Sequence, residues 1–280
     1  MLVSDQFQYE EVTSYRFGYS PIGTPSLYVH VYFVDGLLID TGQRKALSAI
    51  EEATKNLNVE QIFVTHHHED HSGNIPQLRK LHNSPAYAPA LTCEMMKAPP
   101  SMSFPRRLLW GVREPYSDLT PVGNQLKTRN HCFEVIHVPG HAPDMAVLYE
   151  PERQWLFSAD LYVNHYIGYM LDTESIKAQI ASTRKVLELD FKVMFCAHNP
   201  QQAHAKEKLT KKLSFLESFY EQVADLYKQG MDAKSIFRKL KLKEDWLVKT
   251  LSGGQLSKMN MVESVIRDEE ADSAINPNLE

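Results

Sequence analysis

The sequence has few cysteines and no long apolar run, and both shortages exclude whole classes of protein. The chain has 280 residues but three cysteines, Cys93, Cys132 and Cys196, none of which forms a Cys-x-x-Cys pair. Such a set is typical of neither a disulfide framework nor a cysteine-based zinc site. There is no run of eighteen apolar residues, and the N-terminus lacks the basic start and apolar core of a secretory signal. We therefore expect a cytoplasmic protein that does not enter a membrane.

The chain also lacks a phosphate-binding loop and a strong charge of one sign. No Gly-x-x-x-x-Gly-Lys-Ser/Thr motif occurs, so the LSGGQ stretch at 251–255 does not indicate an ATPase. The net charge of −5 argues against a chain built wholly around nucleic acid. With 43% hydrophobic residues the composition is that of an ordinary globular protein with a sizeable core.

Strand and helix signals alternate through the first two hundred residues. In LYVHVYFVDGLLI, residues 27–39, the Asp35-Gly36 pair predicts a hairpin between two strands. Ser72 reads as the cap of a following helix. Apolar runs and helical spacing predict strands at 61–65, 86–88, 125–128, 132–138, 145–150 and 154–160, helices at 46–57 and 174–189, and a strand at 192–197.

Two segments depart from this alternation. Residues 93–118 crowd Pro, Met, Phe and Trp together without clean periodicity, which favours an insertion or lid. From Gln202 onward the pattern is helical. The sequence thus predicts a mixed α/β (α+β) catalytic domain over 1–201, including that insertion, and a helical region over 202–280.

The stretch THHHEDHSG, residues 65–73, holds four of the chain's twelve histidines. Side chains alternate in direction along an extended segment, so His66 and His68 point the same way and His67 the other. Asp70 and His71 follow as the chain turns into the next helix. Imidazole and carboxylate ligands together suit zinc, iron or manganese.

One loop cannot complete two coordination shells, so this hypothesis requires ligands elsewhere. Three candidates follow apolar strand-like runs: His141 in VPGHAPD, Asp160 in LFSAD and His198 in FCAHNP. The alternative is a solvated loop that happens to be rich in histidine. It does not explain why three further candidate ligands each follow an apolar strand-like run.

The pieces IDTG, HHHEDHSG, GHAPD, SAD and AHNP, in this order, resemble the metallo-β-lactamase-fold hydrolase superfamily over roughly residues 10–200. The resemblance implies a four-layer αββα sandwich with a C-terminal helical extension and two metal ions at one edge. It also implies that Asp40 braces a ligating histidine. By the same resemblance the first ion would be held by His66, His68 and His141, the second by Asp70, His71 and His198, and both by Asp160.

That resemblance implies a metal-dependent hydrolase with two divalent ions, zinc in the first place and iron or manganese as alternatives. A hydroxide bridging the ions would attack the substrate, with Asp70 orienting it and accepting its proton. The apolar side chains of 93–118 favour a small carbonyl ester, thioester or lactone carrying an apolar group. Tyr162, His165 and Tyr166 are candidate pocket residues. Pairing of the chain with itself stays open.

A phosphodiesterase or ribonuclease of the same fold is the alternative. Residues 201–258 contain twelve Lys and Arg against seven Asp and Glu, a local surplus of positive charge. Three short helical stretches there could form a winged-helix-like unit that binds RNA. The other interpretation of these lysines is a solvated helical face.

Overall fold

Two β-sheets pack face to face in the computed structural model, which describes residues 1–25 and 27–275. The first sheet has seven strands in sequence order: β1 (Leu2–Tyr9), β2 (Val12–Tyr19), β3 (Val29–Val34), β4 (Leu37–Ile39), β5 (Gln61–Phe63), β6 (Ala86–Ala88) and β7 (Thr120–Pro121). The second has the order β13-β11-β10-β9-β8, from β8 (Gln125–Lys127), β9 (Cys132–His137), β10 (Ala146–Glu150), β11 (Trp155–Ala159) and β13 (Val193–Cys196). Strands β4 to β7 are parallel, as are β11 and β13.

Helices cover the outer face of each sheet. A 3-10 turn (Arg44–Ala46) leads into α1 (Leu47–Thr54), and α2 (Glu69–Ser72), α3 (Ile75–His82), α4 (Ala90–Lys97) and α5 (Phe104–Trp110) follow. Ile50 of α1 and Leu78 of α3 are buried against the first sheet. On the second sheet, Val186 of α6 (Ile176–Leu187) and Leu209 of α7 (Ala205–Lys228) fill the same role.

Aromatic side chains fill the space between the sheets. Tyr32 of the first sheet packs on Phe157 and Phe195 of the second, with ring centroids 5.6 and 5.4 Å apart, and Trp155 lies in the same cluster. Burying such rings is the largest favourable contribution to packing two sheets together. The layers are therefore helix, sheet, sheet and helix, which confirms the predicted αββα sandwich.

The C-terminal region packs directly on the sandwich. It comprises α7, α8 (Ala233–Lys239), α9 (Trp246–Leu251) and α10 (Lys258–Ile275). Buried residues of α7, α8 and α10 share one apolar cluster with Ile176 and Ile180 of α6. Residues 276–280 of the predicted helical region lie outside the described residues. No helix in the described part of the chain is long and apolar enough to cross a membrane.

Three local features differ from the sequence-based expectations. The strands β1 and β2 were not predicted, because β1 is largely exposed and mixes polar with apolar residues. A short strand β14 (Leu256–Ser257) pairs with β12 (Met170–Leu171), so the C-terminal region is not wholly helical. The predicted cap role of Ser72 is wrong: the residue ends α2, and its hydroxyl donates to the carbonyls of His67 and His68.

Candidate metal centre and its cavity

The ends of three strands and the loop between two others bring the predicted ligand residues to the same edge of the sandwich. The 65–73 loop follows β5, Asp160 follows β11 and His198 follows β13, while His141 lies between β9 and β10. The carboxyl ends of neighbouring parallel strands meet at one sheet edge, so side chains distant in sequence become neighbours.

The side chains form two groups, and within each group the nitrogen and oxygen atoms that could bind a metal lie within 4.8 Å of one another. One group contains His66, His68 and His141, and the other contains Asp70, His71, Asp160 and His198. In the first group, Nδ1 of His68 lies 2.9 Å from Nε2 of His141. The first group holds the three histidines that the resemblance assigns to the first ion, and the second group holds the three residues assigned to the second ion together with Asp160.

Asp160 belongs to the second group and also faces a histidine of the first. Its carboxylate oxygens are 3.3 Å from Nε2 of His141, 3.4 Å from Nε2 of His71 and 3.3 Å from Nε2 of His198. A carboxylate has two oxygens and can therefore face two cations at once. This position fits a residue shared by both halves of a two-ion site.

Four of the five histidines have their second ring nitrogen in contact with a nearby oxygen. The distances are 3.0 Å from His66 to Thr65 Oγ1, 2.7 Å from His71 to Asp40 Oδ2, 3.2 Å from His141 to Glu174 Oε2 and 2.7 Å from His198 to the Tyr28 carbonyl. Such contacts fix the tautomer and ring orientation of metal-binding histidines. Thr65, Glu174 and Tyr28 were not singled out from the sequence.

Close packing of two loops aligns Asp40 with His71. The Thr41 backbone N–H donates to the His71 carbonyl over 2.8 Å, and the Asn74 side chain donates to the carbonyls of Thr41 and Gly42. A Cβ atom on Gly73 would lie 2.5 Å from the Glu69 carbonyl oxygen and 2.7 Å from that of Gly42. Only glycine at position 73 therefore lets these backbone segments lie so close together without a shift.

The surroundings shift the pKa values of the histidines in opposite directions at the two ends of the site. Burial lowers the pKa of His66 and His68 well below the usual value and so favours the uncharged imidazole. Burial alone would also lower the pKa of His71, but Asp40, Asp160 and Asp70 raise it well above that value. The carboxylates thus create a strong demand for positive charge at this edge.

The donor set fits divalent cations. Within the described residues, Nε2 of His66, Nε2 of His71 and Oδ1 of Asp160 are buried without a hydrogen-bond partner. Buried polar atoms are ordinarily paired, because leaving one unpaired costs about 1–3 kcal/mol. The three atoms belong to the two groups of ligand residues, and divalent ions that they would bind account for their lack of other partners.

The Asp40→Asn variant tests the contact with His71. Asn tolerates the left-handed backbone of Asp40, φ 64°, but it accepts a weaker hydrogen bond from the imidazole. We expect the affinity for the second divalent ion to fall about 10- to 100-fold, measured by competition with a chelator. The matched control is Asp35→Asn at the β3–β4 hairpin turn, φ 46°, which should leave metal affinity unchanged. Equal affinities in both variants would contradict the bracing role.

Glu69, inside the histidine loop, ties that loop to the predicted 93–118 insertion. Its buried carboxylate accepts from Arg106 Nη2 at 2.6 Å and from Arg113 Nη1 at 3.2 Å. Ser103, which caps α5, also donates to the Ser252 carbonyl over 2.8 Å. The segment is therefore held both to the histidine loop and to the C-terminal region.

A cavity of about 790 Å³ opens beside Asp70, Asp160 and His198. The insertion contributes Arg106 and Trp110, whereas Met96 of the same segment is buried against the first sheet. Other walls come from residues 163–164, 166–169 and 171 and from the C-terminal region, including Lys212, Trp246 and Lys258.

Of the three predicted pocket residues, Tyr166 lines the cavity and its hydroxyl accepts from Lys258 Nζ at 2.5 Å. The prediction is wrong for Tyr162, whose ring is buried in the apolar cluster on the outer face of the second sheet. It is also wrong for His165, which is exposed and, within the described residues, is not part of the cavity wall. The chain turns between these positions, so proximity in sequence to Asp160 did not predict them.

Comparison with known proteins agrees with this geometry. The family model of the metallo-beta-lactamase superfamily matches residues 25–198. A hydroxyacylglutathione hydrolase from Wigglesworthia glossinidia brevipalpis is 23% identical over 205 residues, which are 72% of this chain and 70% of that protein. This chain covers 53% to 63% of the length of other curated relatives.

Solved structures with the same fold include two at low sequence identity. The metallo-beta-lactamase from Pontibacter korlensis has a TM-score of 0.60 at 20% identity, covering 78% of this chain and 99% of that one. A beta-lactamase domain protein from Burkholderia ambifaria has a TM-score of 0.65 at 15% identity, covering 94% and 88%.

The chain belongs to the metallo-beta-lactamase superfamily, since the family model covers more than half of it. It is a metal-dependent hydrolase of that superfamily.

Proposed function

We propose that this protein hydrolyses a small carbonyl thioester or related ester with the help of two divalent ions. The observation that carries the proposal is the cavity of about 790 Å³ that opens beside Asp70 and Asp160 and is bounded by Trp110 and Trp246. Clefts of this size suit substrates of small-molecule dimensions and bury most of their surface.

Each residue of the centre has a role in this proposal. His66, His68 and His141 would hold one ion, Asp70, His71 and His198 the other, and Asp160 both. When bound, the two ions lower the pKa of water toward neutrality and polarise a carbonyl oxygen. The nitrogen-rich donor set favours zinc, with iron and manganese as alternatives.

Asp70 is the proposed general base. Its carboxylate lines the cavity, and Oδ2 lies 3.3 Å from Nε2 of His198, which fixes its orientation. In this position it can accept the proton of the water that adds to the carbonyl carbon. When the carbon–sulfur bond breaks, that proton passes to the leaving thiolate, so the products are a carboxylic acid and a thiol. No serine or cysteine nucleophile is required.

Two observations support a carbonyl substrate over a phosphodiester. The hydroxyacylglutathione hydrolase relative is, by its name, a hydrolase of an acylated glutathione. The basic surplus of residues 201–258 is also partly offset by α10, whose Glu269 pairs with Lys228. A helical face with its lysines partly paired is a weak site for a nucleic acid backbone.

A panel of substrates tests this proposal directly. The zinc-loaded protein should hydrolyse thioesters of N-acetylcysteamine far faster than a bis-nitrophenyl phosphodiester, and lactones or β-lactams should be intermediate or inert. Salt-dependent binding of RNA together with phosphodiester cleavage would support the nuclease alternative instead. Comparing zinc, iron and manganese forms in the same panel would identify the active metal.

A further inference from the structure

Lys212 of α7 is a buried cation that reaches the metal-site cavity from the C-terminal region. Its side chain is 2% exposed and lines the cavity together with Glu174 and Gln179. Nζ donates to the Leu161 carbonyl over 2.5 Å, directly after Asp160 in the chain. The mechanism proposed above assigns this residue no role.

The ammonium group of Lys212 has more donors than the protein uses. A lysine ammonium carries three N–H donors, and the Leu161 carbonyl accepts one of them. Among the described residues no carboxylate forms a salt bridge with Nζ. Because a buried charge is costly unless it is paired, this arrangement calls for an anion.

Two acids act on Lys212 through their charge, and both already contact other groups. Burial lowers the pKa of Lys212 to about 8, and Glu174 and Asp160 oppose that shift. Glu174 accepts from Gln179 Nε2 at 2.9 Å and from the Leu171 backbone N–H at 2.9 Å, and it faces His141. Asp160 faces three histidines of the centre. Neither carboxylate is free to neutralise Lys212.

The cavity has an open end and a closed end. Trp246 and Tyr166, at the open end, are 71% and 54% exposed, whereas Leu171, Gln179 and Lys212 are buried. The open end has room for the larger, thiol-bearing part of a thioester, which places a short acyl group on the closed side. Lys212 lies on that buried side of the cavity, next to the loop that carries Asp160.

We propose that Lys212 binds a carboxylate on the acyl group, so that the preferred substrates are thioesters of short dicarboxylic acids. This inference rests on the proposed function for the reaction, but the recognition of the acid depends on Lys212 alone. The apolar side chains near the mouth would then contact the remainder of the substrate. Lys212 is a specificity-determining residue in this account.

A purely structural role is the competing explanation. The hydrogen bond to Leu161 also fastens α7 to the loop that carries Asp160. If that were its whole function, replacing Lys212 would lower stability and slow all substrates equally. The distinguishing readout is therefore a difference between charged and uncharged acyl groups.

The experiment compares malonyl, succinyl and glutaryl thioesters of N-acetylcysteamine with uncharged analogues of the same shape, such as 4-methylpentanoyl for succinyl. Lys212→Met removes the charge at similar volume and Lys212→Arg keeps it. For at least one diacid thioester we expect Lys212→Met to raise KM about 10- to 100-fold, the worth of a hydrogen bond between charged groups, with a smaller change in kcat. The uncharged partner should change less than about 3-fold, and Lys212→Arg should recover part of the loss.

Lys211→Met is the matched control, because Lys211 is the neighbouring exposed residue and pairs with Glu207 at the surface. A second readout needs no turnover: the Kd of the corresponding free dicarboxylate for the zinc-loaded protein, measured by calorimetry, should rise by the same factor in Lys212→Met only.

The outcomes separate the two proposals. The role of Lys212 would be overturned if the unmodified protein preferred no charged acyl group. It would also be overturned if Lys212→Met slowed each diacid thioester and its uncharged analogue equally. Either result would leave thioester hydrolysis intact. Dicarboxylate binding that depends on Lys212 in a protein that hydrolyses no thioester would instead overturn the proposed reaction and support the anion site.

Discussion

The His68→Ala variant should lose divalent metal from the first group of ligands and about 10³-fold or more of kcat/KM. His68 Nδ1 lies 2.9 Å from His141 Nε2, and its removal leaves only two of the three histidines of this group. Loss of an ion removes several kcal/mol of transition-state stabilisation, and each 1.36 kcal/mol is a factor of ten in rate. Elemental analysis and steady-state kinetics on the same preparation measure both effects.

The matched control for this variant is His204→Asn. His204 is exposed, and Asn tolerates its left-handed backbone conformation, φ 56°, so an imidazole is lost without strain. The control should keep full metal content and activity. A His68→Ala protein with unchanged metal and unchanged rate would contradict the ligand assignment, provided that circular dichroism shows the fold to be intact.

The Glu69→Ala variant should lose about 3–5 kcal/mol of unfolding free energy, the cost of breaking a buried ion pair by removing one partner. Glu69 is the shared acceptor for Arg106 and Arg113, and all three side chains are largely buried. Without the carboxylate, two guanidinium groups would remain beside each other in a poorly solvated space. Chemical denaturation monitored by circular dichroism measures the loss.

Glu94→Ala is the control for that prediction. Glu94 lies in α4 and pairs with Lys97 at the surface, where removing one charge changes stability by about 1 kcal/mol or less. Faster proteolysis of the 98–118 segment should accompany the Glu69 variant, because Arg106 and Arg113 would no longer fasten it to the histidine loop. Equal unfolding free energies for the two variants would show that Glu69 does not organise this segment.

Sequence patterns revealed the part of the site that is written in short local motifs. His66, His68, Asp70 and His71 belong to one loop, and His141 and the other distant ligand residues each follow an apolar strand-like run. Because strand ends at one sheet edge become neighbours, the position of each motif relative to a strand was enough to predict that these residues meet. Their division into two groups came from the family resemblance. The Asp35-Gly36 hairpin was predicted for the same reason, since its signal lies in adjacent residues.

Partners that meet only through packing were not predictable from those motifs. Glu174 reaches His141 from 33 residues away, and Arg106 reaches Glu69 from 37 residues away, with no local pattern to mark either pair. In the sequence, Lys212 looks like any other lysine of α7. Its burial depends on how that helix packs on the sandwich, which no local motif indicates. The wrong expectation for Tyr162 has the same origin, because the turn after Asp160 decides which side chains face the cavity.

The number of divalent ions bound by the unmodified protein tests the central claim most directly. Metal-free protein titrated with zinc in a calorimeter, with elemental analysis after dialysis, should bind two ions per chain, one at each group of ligand residues. Binding of a single ion, or of none at stoichiometric concentration, would contradict a two-ion centre built on His66, His141, Asp160 and their neighbours.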